Sequence, residues 1–109
     1  MAIDLPTPIA CYIVTANSSN TEALAECFAE NAIVRDENQT IDGLAAIKRW
    51  AAETRSKYQH TIEPLSLSQK DGATIVTNQL TGNFPGSPIE LDFVFTLEGD
   101  KIVSLEIRS

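Results

Sequence analysis

The spacing of apolar residues predicts three amphipathic helices in the first half of the chain. The first begins at Thr7 and Pro8, which suit the N-cap and the first helical turn. Asn20 is expected to cap a second helix over residues 21–29, and a third runs from Leu44 to about Arg55. The inner sides of these helices, with apolar residues at steps of three and four, are Ile9, Tyr12, Ile13 and Ala16, then Leu24, Cys27 and Phe28, then Leu44, Ile47, Trp50 and Ala51. The charged residues of the third helix are expected in water: Lys48, Arg49, Glu53 and Arg55.

From residue 58 onward the apolar period becomes two, which predicts strands. The alternation starts at Tyr58, His60 and Ile62, and Pro64 predicts a bulge or an edge position. Asp71-Gly72 is expected to form a hairpin turn. Further strands are predicted over residues 73–81, 89–97 and 102–107, the last with Val103, Leu105 and Ile107 on one face. Two short strands, 32–34 and 40–41, are expected around a turn at 36–39, and the glycines and prolines of 82–88 predict a loop.

Helices first and a four-stranded antiparallel meander last predict an α+β fold. The three N-terminal helices are expected to pack on one face of a curved, mainly antiparallel sheet. A length of 109 residues with 43% apolar residues suffices for one modest core. We therefore expect a single domain over residues 1–109.

Charge and cysteine content narrow the classes of function. A net charge of −7 disfavours both nucleic acids and anionic membranes as partners. No apolar run reaches the length of a membrane helix, and the first residues contain no basic or apolar run, so a cytoplasmic protein without a secretory signal is expected. Cys11 and Cys27 are then expected to be buried free thiols rather than a disulfide. With His60 as the single histidine, no metal site is expected.

The order of elements and four segments of the chain resemble the nuclear transport factor 2-like superfamily, and in particular its SnoaL-like (polyketide cyclase-like) members. The segments are residues 22–24, 27–34, 43–47 and 91–107. The resemblance implies a cone-shaped, cystatin-like barrel with a pocket between the helices and the concave face of the sheet. It also implies a homodimer formed through the outer face of the sheet. It does not specify an activity, because the superfamily contains isomerases, dehydratases, cyclases, hydrolases and proteins that only bind.

The ketosteroid isomerases of that superfamily suggest candidate catalytic residues. Their pocket uses a tyrosine of the first helix, a carboxylate base after the first strand and a second acid on a later strand. The first two positions correspond to Tyr12 and Asp36. The third falls near Asp92, but strand alternation turns Asp92 outward and places Phe93 in the pocket instead. A carboxylate such as Asp36 can take a proton from carbon next to a carbonyl, and a tyrosine hydroxyl can stabilise the enolate oxygen that results.

His60 is the third candidate, as a general acid or base paired with Asp36 or Tyr12. The pocket wall is expected to contain Phe28, Trp50, Tyr58, Asn78 and Phe93. Purely structural roles remain open for the three candidates. Asp36 then begins a turn, Tyr12 is an ordinary core residue, and His60 is a core histidine satisfied by a hydrogen bond.

Two functions are compatible with these residues. The first is a cofactor-free isomerase, cyclase or dehydratase that acts on a small apolar carbonyl compound. The second is a module that binds a ligand, or only dimerises, without chemistry. The position of Asp36 distinguishes the two functions, because the enzyme requires the Asp36 carboxylate inside the cavity. Val94, on the face of the sheet away from the helices, is expected to contribute to a homodimer.

Overall fold

The computed structural model describes residues 5–18, 20–36 and 39–108, and this part of the chain forms three α-helices and six strands. The helices are α1 (Thr7–Ala16), α2 (Leu24–Cys27), which follows a 3-10 turn (Thr21–Ala23), and α3 (Leu44–Tyr58). The strands are β1 (Phe28–Asp36), β2 (Gln39–Asp42), β3 (Thr61–Lys70), β4 (Ala73–Thr81), β5 (Ile89–Glu98) and β6 (Lys101–Arg108).

The six strands form one sheet in the order β2-β1-β6-β5-β4-β3. The antiparallel meander from β3 to β6 is the predicted one, and β1 pairs with β6 in parallel. The α+β fold with helices packed on a curved, mainly antiparallel sheet is therefore confirmed, although the sheet is not closed into a barrel. None of the helices in the described ranges is long and apolar enough to cross a membrane.

Two predictions about the first helices are wrong in detail. Thr7 is the first helical residue of α1, preceded by Pro6 at the cap position, rather than the N-cap itself. The second helix ends at Cys27, so that Phe28 and Ala29 belong to β1, where Phe28 pairs with Ile102 of β6. Phe28 is buried in this arrangement as it would be in a helix. An apolar residue at this position is thus compatible with both a helix and a strand, and it does not indicate where the helix ends.

The third helix continues three residues past the predicted end. Tyr58 is its last residue, and Gln59 ends it in the left-handed conformation with φ 49°. Tyr58 is therefore helical and not part of a strand, and His60 precedes β3. Arg55 was predicted to point to water, and this prediction is wrong. The residue is half-buried, and its Nη1 donates to the carbonyl oxygens of Ala16 and His60.

The later strand predictions hold, except for the faces of β6. Pro64 lies at a register shift in the edge strand β3, and Asp71-Gly72 closes the hairpin with positive φ at both residues. In β6 a bulge lies between Ile102, which pairs with Leu97, and Ser104, which pairs with Thr96. Because an extra residue reverses the alternation, Ile102 is buried together with Leu105, and Val103 does not share their face.

Asp36 and Gln39, the first and last residues of the turn predicted over residues 36–39, are strand residues. Asp36 is the last residue of β1 and pairs with Gln39, the first residue of β2. Glu37 and Asn38 lie outside the described residues, as does Ser19 in the break that was predicted between the first two helices.

Cys11 and Cys27 form a disulfide that joins α1 to α2, so the prediction of two free thiols is wrong. Their Cα atoms are 5.7 Å apart, within the range that a disulfide requires. Helical periodicity places each cysteine on a face of its own helix. It carries no information about the distance between two helices, and that distance decides whether the bond can form.

Candidate functional site

A cavity of about 520 Å³ lies between the helices and the concave face of the sheet. This volume lies within the range of small-molecule sites, roughly 300–1,000 Å³. Its wall is mainly apolar and comes from α1, α3 and the inward side chains of the meander, among them Ile62, Leu80, Leu91, Phe93 and Ile107. The polar groups in this wall therefore decide which chemistry the cavity supports.

Asp36 lines the cavity from the end of β1. Strand alternation places it on the same face as Val34, which is fully buried. Trp50, on the inner side of α3, donates from Nε1 to Oδ2 of Asp36 over 3.3 Å. The carboxylate is thus held at the cavity wall by an indole, and Asp36 is not a solvated turn residue.

Tyr12 lines the same cavity from α1 and is almost completely buried. Its ring packs edge-on against Phe28 and Phe95, with centroid distances of 5.7 and 5.8 Å, and lies 6.3 Å from the ring of Phe93. Burial raises the pKa of the Tyr12 phenol above its usual value, and the nearby Asp36 carboxylate raises it further. The hydroxyl therefore keeps its proton at neutral pH and is available as a hydrogen-bond donor.

His60 also lines the cavity and is 8% exposed. Burial lowers the pKa of its imidazole below the usual value, and the charge of Arg55 lowers it further. The ring is therefore neutral at neutral pH. Nδ1 is buried and has no hydrogen-bond partner among the described residues, so His60 is not the satisfied core histidine of the structural interpretation.

The remaining residues predicted for the pocket separate into two groups. Trp50, Tyr58 and Phe93 line the cavity. Phe28 lies behind the wall against Tyr12, and Asn78 is completely buried in β4, so the structure places neither of them among the lining residues. Both polar atoms of the Asn78 amide lack a hydrogen-bond partner within the described part of the chain.

The position of the second acid is also clear. Asp92 lies on the outer side of β5, where it accepts a hydrogen bond from the Thr77 hydroxyl over 2.7 Å. Phe93 occupies the inward position and contributes to the cavity wall. The outward direction predicted for Asp92 from strand alternation is confirmed.

The loop that connects β4 and β5 contributes to the cavity wall. Phe84 and Pro85 of this loop line the cavity, and the Phe84 ring packs edge-on against Tyr58 at 5.8 Å. The Asn83 N–H donates to the carbonyl oxygen of Tyr58 over 2.7 Å, which ties the loop to the end of α3. The loop predicted from its glycines and prolines therefore carries part of the site.

Arg55 is the principal residue of the cavity that the sequence analysis did not place there. It was assigned to water together with the other charged residues of the helix, because charged side chains usually lie opposite the apolar stripe. The lining residues of α3 are Trp50, Ala51, Thr54, Arg55 and Tyr58, which form one helical face. The i, i+4 step from Ala51 to Arg55 already lay within the predicted helix and would have placed Arg55 on this face. In the described part of the chain, no group of three or more His, Cys, Asp or Glu side chains comes together as a metal site.

Comparison with known proteins identifies the family. The SnoaL-like domain family matches residues 10–105 of the chain. The chain belongs to the SnoaL-like family. A Sinorhizobium meliloti protein named "putative polyketide cyclase" is 34% identical, with a TM-score of 0.91 over 96% of both chains. No curated protein matches this SnoaL-like chain.

More distant structures share the fold of this SnoaL-like protein. A Catenulispora acidiphila protein with a ketosteroid isomerase-like fold, in complex with trimethylamine, is 17% identical, with a TM-score of 0.83 over 97% of this chain and 87% of its own. A Novosphingobium aromaticivorans cystatin-fold protein is 15% identical, with a TM-score of 0.77 over 99% of this chain and 100% of its own. At such identities the likeness shows the fold alone.

Proposed function

We propose that this SnoaL-like protein is a cofactor-free isomerase, cyclase or dehydratase that moves a proton on carbon next to the carbonyl of a small apolar compound. The observation that carries the proposal is that Asp36 and Tyr12 line one largely apolar cavity of about 520 Å³. A carboxylate and a protonated phenol are the two groups that enolisation needs. The names of the similar proteins, which include a "putative isomerase" of the SnoaL-like family from Agrobacterium tumefaciens with 16% identity, are consistent with this class of reaction.

In this mechanism Asp36 is the general base. It takes a proton from the carbon next to the carbonyl, and the electron pair of the broken C–H bond moves toward the carbonyl oxygen, which becomes an enolate. The Tyr12 hydroxyl donates a hydrogen bond to that oxygen, where negative charge develops in the transition state. Trp50 orients the base through its hydrogen bond to Oδ2. Return of the proton to another carbon gives isomerisation. Attack of the enolate carbon on a second carbonyl, whose oxygen takes the proton from Asp36, gives cyclisation. Dehydration results when a hydroxyl on the carbon next to the enolate takes that proton and leaves as water, while the enolate returns to the carbonyl and a C=C bond forms.

Proton–deuterium exchange tests this chemistry without knowledge of the natural substrate. We expect the wild-type protein to accelerate exchange of the acidic methylene protons of β-tetralone in D₂O, followed by NMR. Asp36→Asn should reduce the acceleration by a factor of about 10²–10⁴, the usual contribution of a general base. Asp92→Asn is the matched control and should keep the full rate, because Asp92 lies on the outer side of the sheet. Exchange by wild type no faster than by buffer, or undiminished in Asp36→Asn, contradicts the proposal.

The second candidate is a protein that binds a small apolar ligand without chemistry. It is favoured by Phe93, which occupies the inward position where the resemblance to ketosteroid isomerases calls for a second acid. The cavity wall contains one carboxylate, Asp36, where those enzymes use two acids. This candidate predicts that β-tetralone binds to the wild-type protein, while its exchange remains at the rate in buffer.

A second copy of the chain is the other partner that we propose. Ile75 of β4 pairs with Val94 of β5, and both are only half-buried on the face of the sheet away from the helices. Apolar cross-strand pairs on an outer face are suited to an isologous contact. The cytoplasm remains the expected location, and there the Cys11–Cys27 disulfide would be open to reduction.

A further inference from the structure

One end of the cavity carries a cation that the proposed proton transfer does not use. Arg55 lines the cavity from α3, five residues after Trp50, which contacts Asp36. At a rise of about 1.5 Å per residue, the two side chains leave the helix roughly 7.5 Å apart along its axis. Arg55 thus serves a part of the cavity different from the part at Asp36.

The Arg55 guanidinium is held in place by backbone groups and has no acidic partner among the described residues. Its Nη1 donates to the carbonyl oxygen of Ala16, at the end of α1, over 3.4 Å, and to the carbonyl oxygen of His60. The other arginine of the cavity wall, Arg108, is instead paired with Glu106 over 2.8 Å and is largely exposed. A guanidinium offers five N–H donors, so Nη2 and Nε of Arg55 remain for a ligand.

His60 supplies a second donor beside Arg55. Its Nδ1 is buried without a partner among the described residues. Nε2 is not one of the buried atoms without a partner, and the residue lines the cavity. A buried N–H donor without an acceptor is costly, so we assign the single proton of the neutral ring to Nε2. His60 therefore presents an N–H at the cavity wall next to the Arg55 cation.

We propose that Arg55 and His60 form a carboxylate-binding subsite, so that the ligand of this cavity is a small apolar oxo acid. Its carboxylate is held by Arg55 and the His60 N–H, and its carbonyl lies at Asp36 and Tyr12. A guanidinium fork matches a carboxylate in both charge and geometry. The carbonyl end of this assignment rests on the proposed function, whereas the carboxylate end stands on Arg55 and His60 alone.

Calorimetric binding of a matched pair of probes tests the subsite. The probes are γ-oxo-γ-phenylbutyrate and its primary amide, which have nearly the same shape and differ in charge. We expect wild type to bind the acid at least about tenfold more tightly than the amide, the contribution of a charge-assisted hydrogen bond. Arg55→Gln should abolish this preference, because the acid then loses its cationic partner. Arg55→Lys, which keeps the positive charge, should retain part of the preference.

Arg49 supplies the control. Arg49→Gln changes an exposed arginine of the same helix that does not line the cavity. This variant should keep the preference for the acid. Equal affinity of wild type for the two probes, no binding of the acid at millimolar concentration, or an undiminished preference in Arg55→Gln overturns the proposal. If Arg55→Gln binds neither probe, the result for Arg55→Lys decides between the outcomes. An Arg55→Lys variant that binds the amide but shows no preference for the acid also overturns the proposal.

The outcome is separable from that of the proposed catalysis. The calorimetry requires no turnover, and Asp36→Asn should keep the preference for the acid because Arg55 and His60 are unchanged. If wild type binds the two probes equally and the subsite proposal fails, the exchange of β-tetralone protons can still be measured. Failure of the exchange assay likewise leaves the preference for the acid measurable.

Discussion

The close approach between the β4–β5 loop and the end of α3 depends on the absence of a side chain at Gly82. A Cβ atom added there would lie 2.7 Å from the carbonyl oxygen of Tyr58, 2.9 Å from Cα of His60 and 3.0 Å from its Cβ. Gly82 is not among the glycines with positive φ, so alanine is compatible with its backbone conformation. The effect of Gly82→Ala therefore measures steric contact alone.

The magnitude follows from these distances. Ordinary contacts are about 3.3–3.6 Å between carbon and oxygen and about 3.5–4.0 Å between carbons, so each contact would be too short by about 0.5 Å or more. The atoms cannot yield cheaply, because two are backbone and the Tyr58 oxygen accepts the Asn83 N–H at 2.7 Å. Overpacking of this kind costs about 1–3 kcal/mol, and rigid neighbours favour the upper half of the range. For a chain of this length, about 2 kcal/mol corresponds to a fall in Tm on the order of 10 °C.

Equilibrium unfolding in urea, followed by the fluorescence of Trp50, measures this loss. Gly86→Ala is the matched control in the same loop, because a Cβ there meets nothing within 4 Å but φ is +87°. Its loss should be about 1 kcal/mol, the cost of a left-handed conformation for alanine. If Gly82→Ala loses less than Gly86→Ala, or stays within about 0.5 kcal/mol of wild type, the contact between the loop and the end of α3 is not as tight as described.

Two further predictions concern the disulfide and the dimer. Reduction of the Cys11–Cys27 bond, which spans 16 residues, should lower the free energy of unfolding by about 3 kcal/mol. Thermal unfolding with and without a reductant measures this loss. Cys11→Ala, which cannot form the bond, should have the same stability in both conditions. A wild-type protein that is equally stable in both conditions would show that the bond contributes nothing. Sedimentation velocity at micromolar concentration should give twice the mass of the chain, and Val94→Glu should shift the protein to monomer because it places a charge on the proposed contact face. A monomeric wild type rules out this dimer.

The alternation and spacing of apolar residues determined most of the faces in this protein. Steps of three and four placed Tyr12 on the inner side of α1, and alternation in β5 placed Phe93 inward and Asp92 outward. These properties are readable because a side chain's direction follows from the local backbone period alone. The resemblance to known proteins then connected Tyr12 with Asp36, two residues that no local pattern links.

Tertiary structure decided which of these faces meet. Asp36 reaches the cavity because β1 pairs in parallel with β6, a strand that begins 65 residues further along the chain. Arg55 enters the cavity because α3 continues to Tyr58 and its guanidinium finds carbonyl oxygens of Ala16 and His60. The Cys11–Cys27 bond likewise depends on the distance between two helices. Such contacts join residues distant in sequence, and their geometry comes from the packing of whole elements, which a local period does not encode.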